Sequence, residues 1–209
     1  MKTLVIGANG QIGRQLCALA ARADLPVRAM LRQAEQAPWF SDQGIETVIA
    51  DLEGDFRHAA EGCSEILFTA GSGPHTGADK TLLIDLLGAI RAMDLADATS
   101  MRRFIMVSAL RAEDPMQAPE ALRPYAAAKH AADRLIRLAR TPHLILKPGK
   151  LTDEPASGYL TTNPATVGHI TISRENVALA LREALRRPEL RQTEFELLDG
   201  DIPVEQLFS

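Results

Sequence analysis

The sequence predicts an α/β fold: a doubly wound, mostly parallel sheet with helices on both faces and a small carboxyl-terminal cap. Three observations predict it. Short apolar runs recur along the chain and are continuous rather than alternating, as in strands buried on both faces. Helical stretches separate these runs, which calls for parallel crossovers. The first run closes on "GANGQIG", three glycines at spacing three and three that open the first helix.

The elements follow in order. "TLVIG" is the first strand and feeds a helix from about Gln11 to Ala23. "VRAMLR" is the second strand. A short polar helix over 33–43 leads to the third, "IETVIAD". A short helix near 55–61 precedes "EILFTAG", and a long helix, about 79–98, precedes "RRFIMVSAL". The segment from about Pro124 to Arg140 is helical, with apolar positions Leu135, Ile136 and Leu138, and "HLILKPG" follows it. Beyond Gly149 the pattern weakens. "LTDEPASGYLTTNPATVG" reads as loop, because Pro155, Gly158 and Pro164 break any helix. Ser173 reads as the N-cap of a helix to about Arg187, stopped by Pro188, and "EFELLDG" as a late strand. About sixty residues after "KPG" are too few for a large separate domain. One domain is expected over 1–209, with the cap drawn from about 150–172 and 188–209.

Composition narrows the function classes. The chain has 209 residues, 46% of them apolar, enough for a substantial core. No apolar run approaches a membrane span. The start lacks a long apolar region and a small-residue cleavage site, so no signal peptide is expected. A net charge of −4 argues against a nucleic-acid surface. Cys17 and Cys63 are too few for a disulfide framework and read as small buried side chains in a reducing cytoplasm. The histidines, at 58, 75, 130, 143 and 169, form no i, i+4 pair, so no metal site is expected.

A strand that ends in Gly-x-x-Gly-x-x-Gly and opens a helix makes a bed for a pyrophosphate. Gly7 permits the sharp turn, Gly10 leaves room for the phosphate, and Gly13 lets the helix pack closely on the sheet. The free amides of Gln11, Ile12 and Gly13, with Asn9 in the turn, would then meet the anion. A plain structural turn is the alternative reading. In this strand-helix context a Rossmann-like dinucleotide site is the better one. The end of the second strand, "AMLRQ", carries Leu31 and Arg32 and no carboxylate to hold ribose hydroxyls. An arginine there suits a 2′-phosphate, and Arg14 would add a second positive charge, so NADP(H) is favoured over NAD(H). Asp51 and Leu52 end the third strand and would flank adenine. Ala70 and Gly71 end the fourth, where the ribose would pass.

"PYAAAKHAADRL" places Tyr125 and Lys129 four apart, on one face of a helix whose first turn holds Pro124. "FIMVSAL" leaves Ser108 at a strand end. Such a serine, tyrosine and lysine can move a proton beside a carbonyl. An ordinary phenol titrates near pH 10, so bringing it to neutrality needs about 4 kcal/mol. A nearby ammonium supplies a term of about that size. Lysine is scarce here, five against eighteen arginines, which makes a lysine at 129 less expected by accident.

"GANGQIG", "DLEG", "FTAGSG", "FIMVSAL", "YAAAK" and "KPGKL" together resemble the short-chain dehydrogenase/reductase superfamily, in particular its atypical, epimerase/dehydratase-like single-domain members. The resemblance covers about residues 1–151 firmly and the tail loosely. It implies that Ser108, Tyr125 and Lys129 match the active-site serine, tyrosine and lysine, and that Lys129 also bonds the ribose. The usual fourth member is an asparagine on the long helix. Asp85 stands there instead, as an acid-base group or as a partner of Lys129. Pro148 and Gly149 match a turn beside the nicotinamide ring. Extended epimerases of the superfamily carry a larger carboxyl-terminal region. The short tail here favours a small carbonyl, quinone or flavin-like acceptor, walled by "GSGPHTG" and 109–123, with His75 and Met116 either lining the pocket or plain surface residues. The expected activity is therefore an NADP(H)-dependent oxidoreductase on a small molecule, possible as a homodimer. A non-catalytic NADP(H)-binding redox sensor acting through a protein partner, and a sugar-type epimerase/dehydratase, are the alternatives.

Overall fold

The computed structural model describes residues 1–73 and 76–209. Seven strands form its parallel heart: β1 (Thr3–Ile6), β2 (Val27–Leu31), β3 (Glu46–Ile49), β4 (Glu65–Phe68), β5 (Arg103–Val107), β6 (His143–Pro148) and β10 (Thr193–Asp199). These are the seven runs read as strands above. Among the described residues the main sheet has the order β11 (Ile202–Pro203), β8 (Tyr159–Thr161), β10, β6, β5, β4, β1, β2, β3. From β1 the chain winds outward through β2 and β3, then returns to the other side of β1 as β4. Ile6 lies opposite both Met30 and Phe68, so the carboxyl ends of these strands are level. The switch of direction leaves a crevice between β1 and β4, where ligands of open α/β sheets bind.

Leu4, Val5 and Ile6 are all buried, which explains the continuous apolar runs. Alternate side chains serve opposite faces. Val5, Leu67, Ile105, Leu146 and Leu197 pack with Leu16 and Ala20 of α1 (Gln11–Arg22) and Val177 and Leu181 of α6 (Arg174–Arg186). Leu4, Ile6, Phe68, Phe104 and Ile145 form the other layer, with Ala92, Met93 and Ile136. Arg103 is buried at the start of β5, and Glu65 beside it accepts its Nε–H. The rest of its guanidinium donates to the carbonyls of Ala184, Arg187 and Leu190, at 3.0, 2.8 and 3.1 Å. These acceptors lie at and just beyond the end of α6, and the cation suits the negative end of that helix.

Two expectations need correction. The long helix expected near 79–98 is not regular. It opens as α3 (Ala78–Lys80), widens into a π-helix over Thr81–Gly88 and continues as α4 (Ala89–Ala98). Apolar periodicity does not separate the two kinds of turn, and π-turns concentrate at functional sites. The segment after Gly149 is not all loop. β7 (Lys150–Thr152) pairs in parallel with β9 (Thr171–Ser173), and β8 (Tyr159–Thr161) runs antiparallel to β10 and to β11 (Ile202–Pro203). Strands of two or three residues are too short to write a period into the sequence. Ser173 does cap α6: its hydroxyl accepts from the Asn176 amide at 3.0 Å.

Candidate active site

The glycine turn is built by close approach. Gly7 has φ +88°, and a Cβ there would lie 2.5 Å from the Ala70 nitrogen. A Cβ on Gly13 would lie 2.3 Å from the Gly7 oxygen, so α1 sits directly on the turn. Gly10 is the N-cap of α1, with no side chain bonding the first amides and no acidic residue in the first turn. Those first-turn amides therefore have no side-chain cap, and with the helix dipole they favour an anion there. The adjoining crevice holds about 400 Å³. The first turn lends it Gly7, Asn9 and Gly10, the position just after β2 lends Arg32, and the next two strand ends lend Asp51, Leu52, Ala70 and Gly71.

Arg32 is exposed and its guanidinium has no ion-pair partner among the described residues. Arg14 differs from expectation. Its guanidinium donates twice to Asn9 Oδ1, at 2.9 and 2.6 Å, and lies 4.9 Å from the centre of the Trp39 ring. It braces Asn9 and is not a second free charge in the crevice. The Ile12 side chain packs in the core, and Gln11 reaches Asp153 at 3.4 Å, so both offer the crevice only backbone. Asp51 accepts from the Glu53 amide at 2.9 Å, shaping the loop. Sequence reading missed Lys80, which pairs with Glu53 at 2.6 Å on the rim.

The second half of the site gathers around α5 (Arg123–Leu138). Tyr125, Lys129 and Asp133 follow at intervals of four and share a face. Lys129 is buried. Its ammonium donates to the Val107 carbonyl at 3.2 Å, lies 3.6 Å from Asp85 Oδ1 and sits 5.7 Å from the Tyr125 ring centre. The π-helix sets Asp85 inward, where its other oxygen accepts from the Ser72 amide at 3.0 Å. Ser108, just past β5, shares a 2.6 Å hydrogen bond with Asp133 Oδ2. Asp133 is buried beside it. The structure thus brings Ser108, Tyr125, Lys129 and Asp85 into one group and adds Asp133. The signal for Asp133 was present in the sequence as a third member, "D", four residues after the lysine in "YAAAKHAAD".

Lys129 does not bring the Tyr125 phenol to neutrality. Burial pushes that phenol above its ordinary value. Lys129 pulls it down, and the Asp85 carboxylate pushes it further up. Gly149 also has a local role. A Cβ there would lie 2.3 Å from the Ile170 oxygen and 2.4 Å from Leu198 Cδ2, so the glycine lets the tail cross the end of β6. Pro148 beside it is the last residue of β6. Met116 is 69% exposed, and His75 lies outside the described residues.

Residues 7–188 match a family model described as NAD(P)H-binding. A Bacillus subtilis protein described as an uncharacterized sugar epimerase, YhfK, is 42% identical, covering 98% of this chain and 97% of its own. The solved structure of a Bacillus halodurans protein described as an NAD-dependent epimerase/dehydratase is 39% identical, with a TM-score of 0.93 over 98% of this chain and 96% of that one. The oxidoreductase ylbE of Lactococcus lactis is 25% identical, with a TM-score of 0.86 over 98% and 94%. The chain belongs to the NAD(P)H-binding family and has epimerase/dehydratase-like relatives of the same Rossmann-like fold.

Proposed function

We propose that the protein is an NADP(H)-dependent reductase that delivers hydride to a small carbonyl, quinone or flavin-like acceptor. The observation that carries this reading is a tyrosine phenol, its pKa pushed up by burial, whose ring centre lies 5.7 Å from the buried Lys129 ammonium, which itself donates to the Val107 carbonyl next to Ser108. Reduction of a carbonyl leaves an oxyanion that needs a proton, and such a phenol is an acid rather than a base at neutral pH. The bound nicotinamide would supply the hydride. The Gly7–Gly13 turn would hold the pyrophosphate, and unpaired Arg32 would hold the 2′-phosphate that distinguishes NADP(H). Tyr125 would donate the proton, Ser108 would bond the substrate oxygen, and Lys129 and Asp85 would fix the surroundings of the phenol. Residues 150–172 and 188–209 would wall the substrate side. The Lactococcus relative, described as an oxidoreductase, agrees with this reading.

Tyr125→Phe tests it. NADPH affinity is expected to stay, while turnover of carbonyl acceptors falls about a hundredfold or more, the range of general acid catalysis. Unchanged turnover removes Tyr125 from the mechanism. The name of the Bacillus subtilis relative favours a second reading, epimerisation of a sugar. Wash-in of solvent deuterium to a nucleotide sugar, without net NADPH consumption, would establish that one instead.

A further inference from the structure

The group around Ser108 contains more carboxylates than its cations can match. Lys129 turns to Asp85, at 3.6 Å, and to the Val107 carbonyl. Behind it, Lys147 lies 2.6 Å from Glu194 and also pairs with Glu113. Arg137 lies 2.5 Å from Glu194 and 3.6 Å from Glu113. Lys147 and Arg137 are thus matched by Glu113 and Glu194, and Lys129 by Asp85. Asp133, 1% exposed, has no counter-ion within 4 Å among the described residues. Its Oδ1 is buried without a hydrogen-bond partner, and its single bond is Oδ2 to Ser108. An ionised Asp133 would leave half its charge on that orphan oxygen, a costly arrangement. A neutral carboxyl leaves only an unpaired carbonyl there, and its hydroxyl donates to Ser108.

We propose that Asp133 is a positioning residue that keeps its proton and donates it to Ser108 Oγ, so that the Ser108 hydroxyl points its own proton at the substrate oxygen. Were Asp133 ionised, Ser108 would spend its proton on the carboxylate and offer a carbonyl only lone pairs. Burial drives the Asp133 carboxyl up, against the pull of Ser108, Lys129, Lys147 and Arg137. The substrate half of this proposal rests on the reductase reading. The proton on Asp133 does not.

Infrared spectroscopy of the protein without cofactor tests the proton directly. Wild type at neutral pH is expected to show a protonated-carboxyl stretch that Asp133→Asn lacks and that shifts in Ser108→Ala. If Asp133→Asn does not fold, the Ser108→Ala shift and loss of the band on raising the pH carry the assignment. No such band in wild type at neutral pH overturns the proposal. The second readout is the pH profile of kcat/KM for carbonyl reduction. Wild type loses rate as Asp133 ionises. Asp133→Asn, whose amide donates to Ser108 at every pH, keeps its rate within about threefold across that limb, small beside general acid effects. A uniform drop at all pH values would mean a structural role only and overturn the positioning role. A band with no turnover of any acceptor sinks the reductase reading and leaves the protonated pair intact.

Discussion

Gly13→Ala separates a glycine that merely turns the chain from one that seats a helix on a phosphate bed. The new methyl would lie 2.3 Å from the Gly7 oxygen and 2.7 Å from Ala8 Cα and O. Ordinary contact is about 3.5 Å, so the overlap exceeds 1 Å. All three atoms are backbone, so no rotamer change relieves it, and α1 must move off the turn. Overpacking costs about 1–3 kcal/mol, here towards the upper end. The helix gains about 1 kcal/mol from alanine over glycine. The net loss of about 2 kcal/mol lowers the melting temperature by roughly 4–8 °C at this chain length. The same shift misaims the first-turn amides. Losing one hydrogen bond to a charged phosphate costs about 1.5–3 kcal/mol, or roughly 10- to 150-fold in NADPH affinity. Gly10→Ala is the control. Its Cβ meets only the Gly7 oxygen, at 3.3 Å, on an extended backbone that alanine adopts readily. Stability should change by about 1 kcal/mol or less, the scale of an N-cap change. The methyl occupies phosphate space, so affinity should still fall. Thermal melts and calorimetry with NADPH read both quantities. Wild-type affinity in both variants would refute the phosphate bed, and an unchanged melt in Gly13→Ala would refute the packing.

Two further outcomes follow from charges at opposite ends of the sheet. Arg32→Glu should weaken NADPH binding and shift preference towards NADH, measured as the ratio of the two dissociation constants. An unchanged ratio means that Arg32 does not meet the 2′-phosphate. Glu65→Ala leaves the buried Arg103 guanidinium without its carboxylate. The loss should be about 3–5 kcal/mol, or roughly 6–20 °C in a thermal melt, with nucleotide affinity preserved because the pair lies at the amino-terminal end of the strands.

The fold was legible because its central strands are buried on both faces. "TLVIG" and "FIMVSAL" need no alternation to be read as strands, and the glycines mark a turn that admits no side chain at Gly7 or Gly13. The π-helix was not legible, since Asp85 turns inward by a change in backbone winding that leaves the residue pattern intact. The tail was not legible either. β8 is held by its pairing with β10 and β11, a long-range interaction that three residues cannot announce. In the site, spacing found Tyr125 and Lys129 because i, i+4 contacts are local. It overlooked that Arg14 is held by Asn9 and Trp39, because side-chain partners depend on tertiary packing. Asp133 lay on the same local face and went unread because a carboxylate on a helix is ordinarily solvated, and only the burial of this one makes it a partner for Ser108.

Asp85, at the position where the sequence resemblance implies an asparagine, decides which way the proposed chemistry leans. An asparagine would be a neutral neighbour, leaving the Lys129 charge to act on Tyr125 alone. At 3.6 Å the carboxylate meets that charge with an attraction of about 4–5 kcal/mol at an effective dielectric of 20. Taking an ordinary phenol from pH 10 to neutrality needs about 4 kcal/mol, so Asp85 can absorb what Lys129 would supply. The phenol keeps its proton, which suits donation to a reduced acceptor better than abstraction from an alcohol. Asp85→Asn should therefore lower the Tyr125 pKa, because the Lys129 charge is released to act on the phenol. The amide oxygen can still accept from Ser72, so the helix should hold its place. Ultraviolet titration of tyrosinate reads the shift, with Tyr125→Phe in the same background subtracting the signal of Tyr159. The ratio of alcohol oxidation to carbonyl reduction should rise in parallel. If Tyr125 ionises at the same pH with asparagine at 85, the lysine was never diverted and the bias towards reduction has another origin.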